Sequence, residues 1–126
     1  MKSVLISLLI IGILSSFCLI YDFALSGIVS NMNEEINFIH RSVKENNTYE
    51  AKKTFKNLKN EWEKNEFIVQ LLTEHNEIDT INEQFALIDS HFDHSDYDEF
   101  FESLYTLKYF INHISEKKRL NLNTIL

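Results

Sequence analysis

Between Lys2 and Asp22 no residue carries a charge, and the stretch reads SVLISLLIIGILSSFCLIY. As a helix rising 1.5 Å per residue it reaches about 28 Å, close to the roughly 30 Å hydrocarbon core of a bilayer. It has no polar face, which argues against a core helix at the edge of a small domain. Residues 3–21 are therefore read as a membrane-spanning helix in contact with the lipid bilayer. An uncleaved signal anchor is preferred because a cleaved signal carries an apolar core of roughly 7–15 residues. Ala24 and Ser26 would allow cleavage before Gly27, but Asp22 lies close by. Cys18 could carry a lipid, but Phe17 stands where that class of peptidase wants a small residue. Tyr21 sits at the outer end, where an aromatic ring suits the interface. Lys2 precedes the span, and the next basic residue after it is Arg41. The positive-inside rule then puts the N-terminus in the cytoplasm. The expectation is a single-pass protein of the cell membrane, with residues 1–26 as anchor and 27–126 as an extracytoplasmic domain.

Turn chemistry limits what that domain can be. The chain has no proline, and its two glycines are Gly12 and Gly27. Hairpins and strands need turn residues that are scarce here, so an all-α fold is expected. About 100 residues suffice for one small core. The net charge of −7 falls after Gly27, since Lys2 and Asp22 cancel. An acidic domain is repelled by nucleic acid, which excludes it as a partner. Cys18 is the single cysteine, so no intrachain disulfide forms.

Apolar stripes divide the rest of the chain. Leu25, Val29, Met32, Ile36, Ile39 and Val43 alternate steps of four and three, a heptad-like face. The spacing predicts that the anchor helix runs on as one rod to about Asn46-Asn47, with Gly27 as a flex point. Asn47 with Glu50 three residues on resembles a capping box. Asn46-Asn47-Thr48 also matches a glycosylation pattern, read as incidental in a capping turn. A second helix carries Ala51, Phe55, Leu58 and Trp62; a third carries Leu71, Ile78, Ile81, Phe85, Ile88 and Phe92. A break is expected at 64–66, although one bent helix over 48–92 is also compatible. A loop over 91–95 follows, with Ser95 as N-cap of a last helix bearing Tyr97, Phe100, Leu104, Leu107, Ile111 and Ile114. Lys117, Lys118 and Arg119 would close it, matching the helix dipole, before an extended tail over 120–126. The predicted architecture is an N-terminal transmembrane helix continuing into an antiparallel three- to four-helix bundle. Its expected core includes Phe55, Leu58, Trp62, Leu71, His75, Ile78, Phe85, Leu104, Leu107 and Ile111.

Few residues suggest chemistry. His91, Asp93 and His94 are weak metal candidates in an acidic segment. No Glu-x-x-His pair, His-Glu-x-x-His or calcium-loop glycine accompanies them, so they are read as a polar loop before a helix. His75 and Asp79 share a helical face, but a general base needs a nucleophile or cleft beside it. His75 is read as a partly buried histidine tethering helices, and Trp62 as core. No catalytic set and no cofactor are expected.

One span, the Ala51, Phe55, Leu58 and Trp62 helix, His75-Asn-Glu77-Ile78-Asp79 and the terminal Asn123-Thr-Ile125-Leu126 together resemble a bacterial membrane-protein family, domain of unknown function 4363. The resemblance covers nearly the whole length. It implies a membrane-anchored protein with a membrane-protein partner, and it carries no functional residue. The leading expectation is a non-enzymatic protein-docking or scaffolding module. The alternative is an extracytoplasmic small-ligand or metal-sensing domain working with a membrane partner.

Overall fold

The computed structural model describes the backbone of residues 1–71 and 73–125 and the side chains of residues 1–71 and 73–116. Four helices account for it: α1 (Lys2–Lys44), α2 (Thr48–Gln70), α3 (His75–His94) and α4 (Tyr97–Ile125). Successive helices run up and down. α1 packs on α2 and α4, α3 packs mainly on α4, and α2 touches α3 more sparingly.

α1 is exposed along its whole length up to Ile20. Its apolar stretch is long enough to cross a membrane, and none of it is buried by the rest of the chain. Such a helix is compatible with a membrane anchor or a signal sequence. Burial begins at Leu25 and then follows the heptad-like stripe through Val29, Met32, Ile36, Ile39 and Val43. α1 passes through Gly27 without interruption, so that residue opens no break in the rod.

Two of the three turns use left-handed residues other than glycine. Asn46 has φ 60° and Ser95 has φ 56°. At the first turn Asn47 N–H reaches back to the Ser42 carbonyl at 2.8 Å. At the second, Asp96 N–H reaches the His91 carbonyl at 3.1 Å. Each closes the preceding helix with the wide backbone bond of a Schellman-type end. Ser95 therefore ends α3 instead of capping α4, and 91–94 are helical where a loop was expected. Asn47 does occupy the N-cap of α2, but no side-chain capping bond forms.

The expected break at 64–66 is also displaced. α2 continues to Gln70, because Val69 extends the buried stripe of Ala51, Phe55, Leu58 and Trp62. The turn falls at 71–74, where the Thr73 N–H donates to the Val69 carbonyl at 3.1 Å and Glu74 turns extended. Leu71 is consequently off the stripe and 64% exposed, not core. His75 opens α3 at the end of the bundle with its side chain 81% exposed, so it tethers no helices. α4 runs on through Ile125, past Lys117, Lys118 and Arg119 and where an extended tail was expected. Leu126 and the side chains of the terminal Asn123-Thr-Ile125-Leu126 motif lie outside the described residues.

Phe55, Leu58, Trp62, Ile78, Phe85, Leu104, Leu107 and Ile111 are buried. An aromatic column runs through them. Trp62 stacks on Phe85 with centroids 6.2 Å apart, Phe55 contacts Phe85 and Phe92, and Phe92 meets Phe100 of α4 at 4.7 Å. Each ring buried this way contributes about 1.5–3 kcal/mol, offset by ordering entropy. The indole N–H of Trp62 donates to Asn82 Oδ1 at 2.7 Å, so burying that polar edge leaves no orphan donor.

Candidate functional site

The sparing contact between α2 and α3 leaves an open groove of about 410 Å³. Its floor is apolar, made by the edges of Phe55 and Phe92. Lys52, Lys56 and Lys59 line it from α2, at steps of four and three along one face, with Asn60 and Glu63 beyond them. Asp89 and Asp93 face them from α3, four residues apart. Lys59 Nζ bridges the groove to Asp89 Oδ2 at 3.0 Å. Lys52 Nζ lies 6.0 Å from the centre of the Phe92 ring. Charges of both signs thus rim a narrow apolar floor whose two rings are themselves buried.

A second groove lies between α1 and α2 and is bordered by Glu34, Glu35, Asn37, Arg41, Thr54 and Asn57. Glu35 is its unusual member. Burial pushes its carboxyl up to about 7, with the like charge of Glu61 on α2 and a hydrogen bond to that side chain adding to the rise. Two ionised carboxylates are both acceptors, so a bond between them requires a proton. One Glu35 oxygen is sealed from solvent.

Polar contacts elsewhere pin α4 to its neighbours. Asn33 Nδ2 donates to Asn112 Oδ1 at 2.6 Å, and Lys108 Nζ to Asn37 Oδ1 at 2.9 Å. His113 Nδ1 lies 3.2 Å from Glu77 Oε1, between α3 and α4. His40 packs edge-on against Phe101 with centroids 5.0 Å apart, and burial, then Lys44 and Lys108, hold its pKa below the usual histidine value.

The weak metal candidates do not converge. His94 Nδ1 is taken up by the Ser90 carbonyl one turn back at 2.8 Å, while Asp93 faces the α2–α3 groove. Among the described residues no group of three or more histidine, cysteine or acidic side chains is placed to hold a metal ion. His75 lies 3.9 Å from Asp79 on the exposed side of α3. The groove residues Lys52, Lys56, Lys59 and Asp89 were not singled out from sequence. The four-three lysine spacing was there to be found, but surface lysines on helices have the same look.

No curated protein and no solved structure matches the chain. Residues 20–125 match the family described as Domain of unknown function (DUF4363), which covers the bundle and the last two residues of the apolar run. The chain belongs to that family.

Proposed function

We propose that this chain is a non-enzymatic, single-pass membrane protein whose bundle docks another protein outside the cytoplasm. The observation that carries the docking reading is the α2–α3 groove, a cleft floored by the edges of Phe55 and Phe92 between a lysine face and two aspartates. The unpacked apolar helix of α1 supports the anchoring, and the positive-inside distribution of Lys2 and Arg41 supports the orientation. Glu63 and Lys52 are five and sixteen residues before Ile68, whose carbonyl meets Tyr21. The groove therefore spans about 8 to 24 Å above the end of the span, on the side away from the bilayer. A partner that fits is a helix or extended segment with an apolar anchor, acidic groups toward Lys52 and Lys56 and a basic group toward Asp93.

A photo-cross-linking side chain at Asn60, in the full chain in intact membranes, tests this. The expected result is one discrete protein adduct that Lys56→Glu abolishes and that a cross-linker at Tyr109, on α4, does not give. Cross-linking that is absent, or that is unchanged by Lys56→Glu, overturns the docking site. Protease added to intact cells tests the orientation separately: cleavage beyond Phe38 is expected, and protection of 38–126 refutes it.

A further inference from the structure

Past residue 20, the described large apolar side chains other than tyrosine that are more than half exposed are Phe23, Phe67 and Leu71. The other strongly exposed rings are Tyr49, Tyr105 and Tyr109, whose hydroxyl tips suit water. The three apolar side chains share one level of the bundle. Tyr21 donates its hydroxyl to the Ile68 carbonyl at 2.6 Å, which fixes the end of the apolar run against the end of α2. Phe23 lies two residues from Tyr21, and Phe67 and Leu71 lie one and three from Ile68. At 1.5 Å per residue all three stand within about 5 Å of that hydrogen bond along the helix axis. The far end of α1 is about 34 Å away.

We infer that Phe23, Phe67 and Leu71 form a collar that beds the bundle into the lipid–water interface. The inference rests on the reading of 3–21 as a membrane span. Continuity with the apolar helix chooses lipid as the occupant: the exposed surface of that helix ends where the collar begins. Tyr21, with its hydroxyl on α2, stands at the same level, as aromatic side chains do at the water-facing edge of a bilayer. The collar holds the turn at 71–74 against the membrane, so α2 and α3 both start or end on the lipid surface.

The test uses the full chain with Cys18→Ser, reconstituted in phosphatidylcholine–phosphatidylglycerol vesicles. Single cysteines replacing Leu9, Phe67, Leu71 or Tyr49 carry an environment-sensitive dye, read against lipids brominated near the headgroup or deep in the acyl chain. The expected result is quenching at 67 and 71 by shallow bromines, quenching at 9 by deep ones, and none at 49. Quenching at 9 without quenching at 67 and 71 keeps the span but overturns the collar, and assigns the patch to a protein surface or a second copy. No quenching at 9 removes the span and the collar together. As a second readout, Phe67→Ser with Leu71→Ser should leave the dye at position 9 quenched while abolishing shallow quenching at a dye-labelled Phe23→Cys.

Discussion

Replacing Glu35 by glutamine should stabilise the bundle by an amount that grows as pH rises from about 4.5 to about 7 and then levels off. The carboxyl is raised from 4.5 to about 7 by burial first and by Glu61 second. A carboxyl raised in the folded state binds its proton more tightly there than in the unfolded chain. Its contribution to stability is therefore fully present below about pH 4.5 and lost as pH rises through about 7. The full shift corresponds to about 3.4 kcal/mol. Water reaches the outer part of this carboxyl, so screening reduces the realised penalty to about 1–2 kcal/mol. For a domain of about 100 residues that corresponds to a melting-temperature gain of about 5–10 °C for Glu35→Gln at about pH 8. At about pH 4 or below the two proteins should melt nearly together, because the wild-type side chain is then mostly protonated in the folded and the unfolded chain alike. His40 works in the opposite sense. Its pKa is held down by burial, so the bundle loses stability as pH falls through the ordinary histidine range. Comparing mutant with wild type at each pH cancels that contribution, which a single wild-type profile would not do. Circular-dichroism melts of the full chain in detergent measure it directly. A Glu35→Gln gain that is the same at both pH values, or absent at pH 8, would refute the claim that a carboxyl pair between α1 and α2 shares a proton. Glu61→Gln should give a smaller gain, since it removes the like charge and leaves the burial of Glu35 in place.

Three further outcomes follow from the packing. Leu58→Ala should cost about 2–5 kcal/mol in urea unfolding because Leu58 is fully buried, whereas Leu71→Ala should stay within about 0.5 kcal/mol. Ser95→Gly should stabilise the fold by about 0.5–1 kcal/mol by relieving a left-handed serine; Asn46→Gly should gain less, since asparagine tolerates that conformation. Trp62→Phe should cost about 1–3 kcal/mol, part of it from stranding the Asn82 carbonyl, and Asn82→Leu in the same background should recover some of the loss.

The stripe of α1 was legible because a heptad-like face is a local property of one chain segment. Each of its six positions is buried, from Leu25 to Val43. The end of α2 was not. The stripe leaves Trp62 by a step of seven to Val69, and Leu71 offered a larger side chain two residues further on. Choosing Leu71 shifts the phase and manufactures a break at 64–66. His75 shares a face with Asp79, but that pairing needs no burial, and at a helix start it leaves the ring in water. The polar composition of 91–95 looks like a loop, yet 91–94 complete the last turn of α3. Ser95 illustrates a different gap: serine is ordinarily a start signal for a helix, and only its φ of 56° reveals that it stops one.

The two grooves were beyond sequence reasoning for a geometric reason. Lys52, Lys56 and Lys59 read as a solvated face until α3 sets Asp89 opposite them at 3.0 Å from Lys59. Glu35 is harder still. It lies one position before Ile36 and four before Ile39, beside a buried stripe, where glutamate normally swings out to water. Glu61, immediately before the buried Trp62 on α2, is carried to the same seam by the same packing and meets Glu35 there. Each carboxylate is placed by its large apolar neighbour, and the charge conflict follows from burying both neighbours at once. A stripe fixes which side of a helix turns inward; only the register between two helices decides which flanking charges then meet. The register of α1 against α2 is set here by the Asn46 turn at one end and by the Tyr21–Ile68 hydrogen bond at the other, and Glu35 and Glu61 lie between them. Loosening that register, for example with Tyr21→Phe, should let the two carboxylates part and lower the pKa of Glu35, so the pH dependence of the melt weakens even though neither acid has been touched.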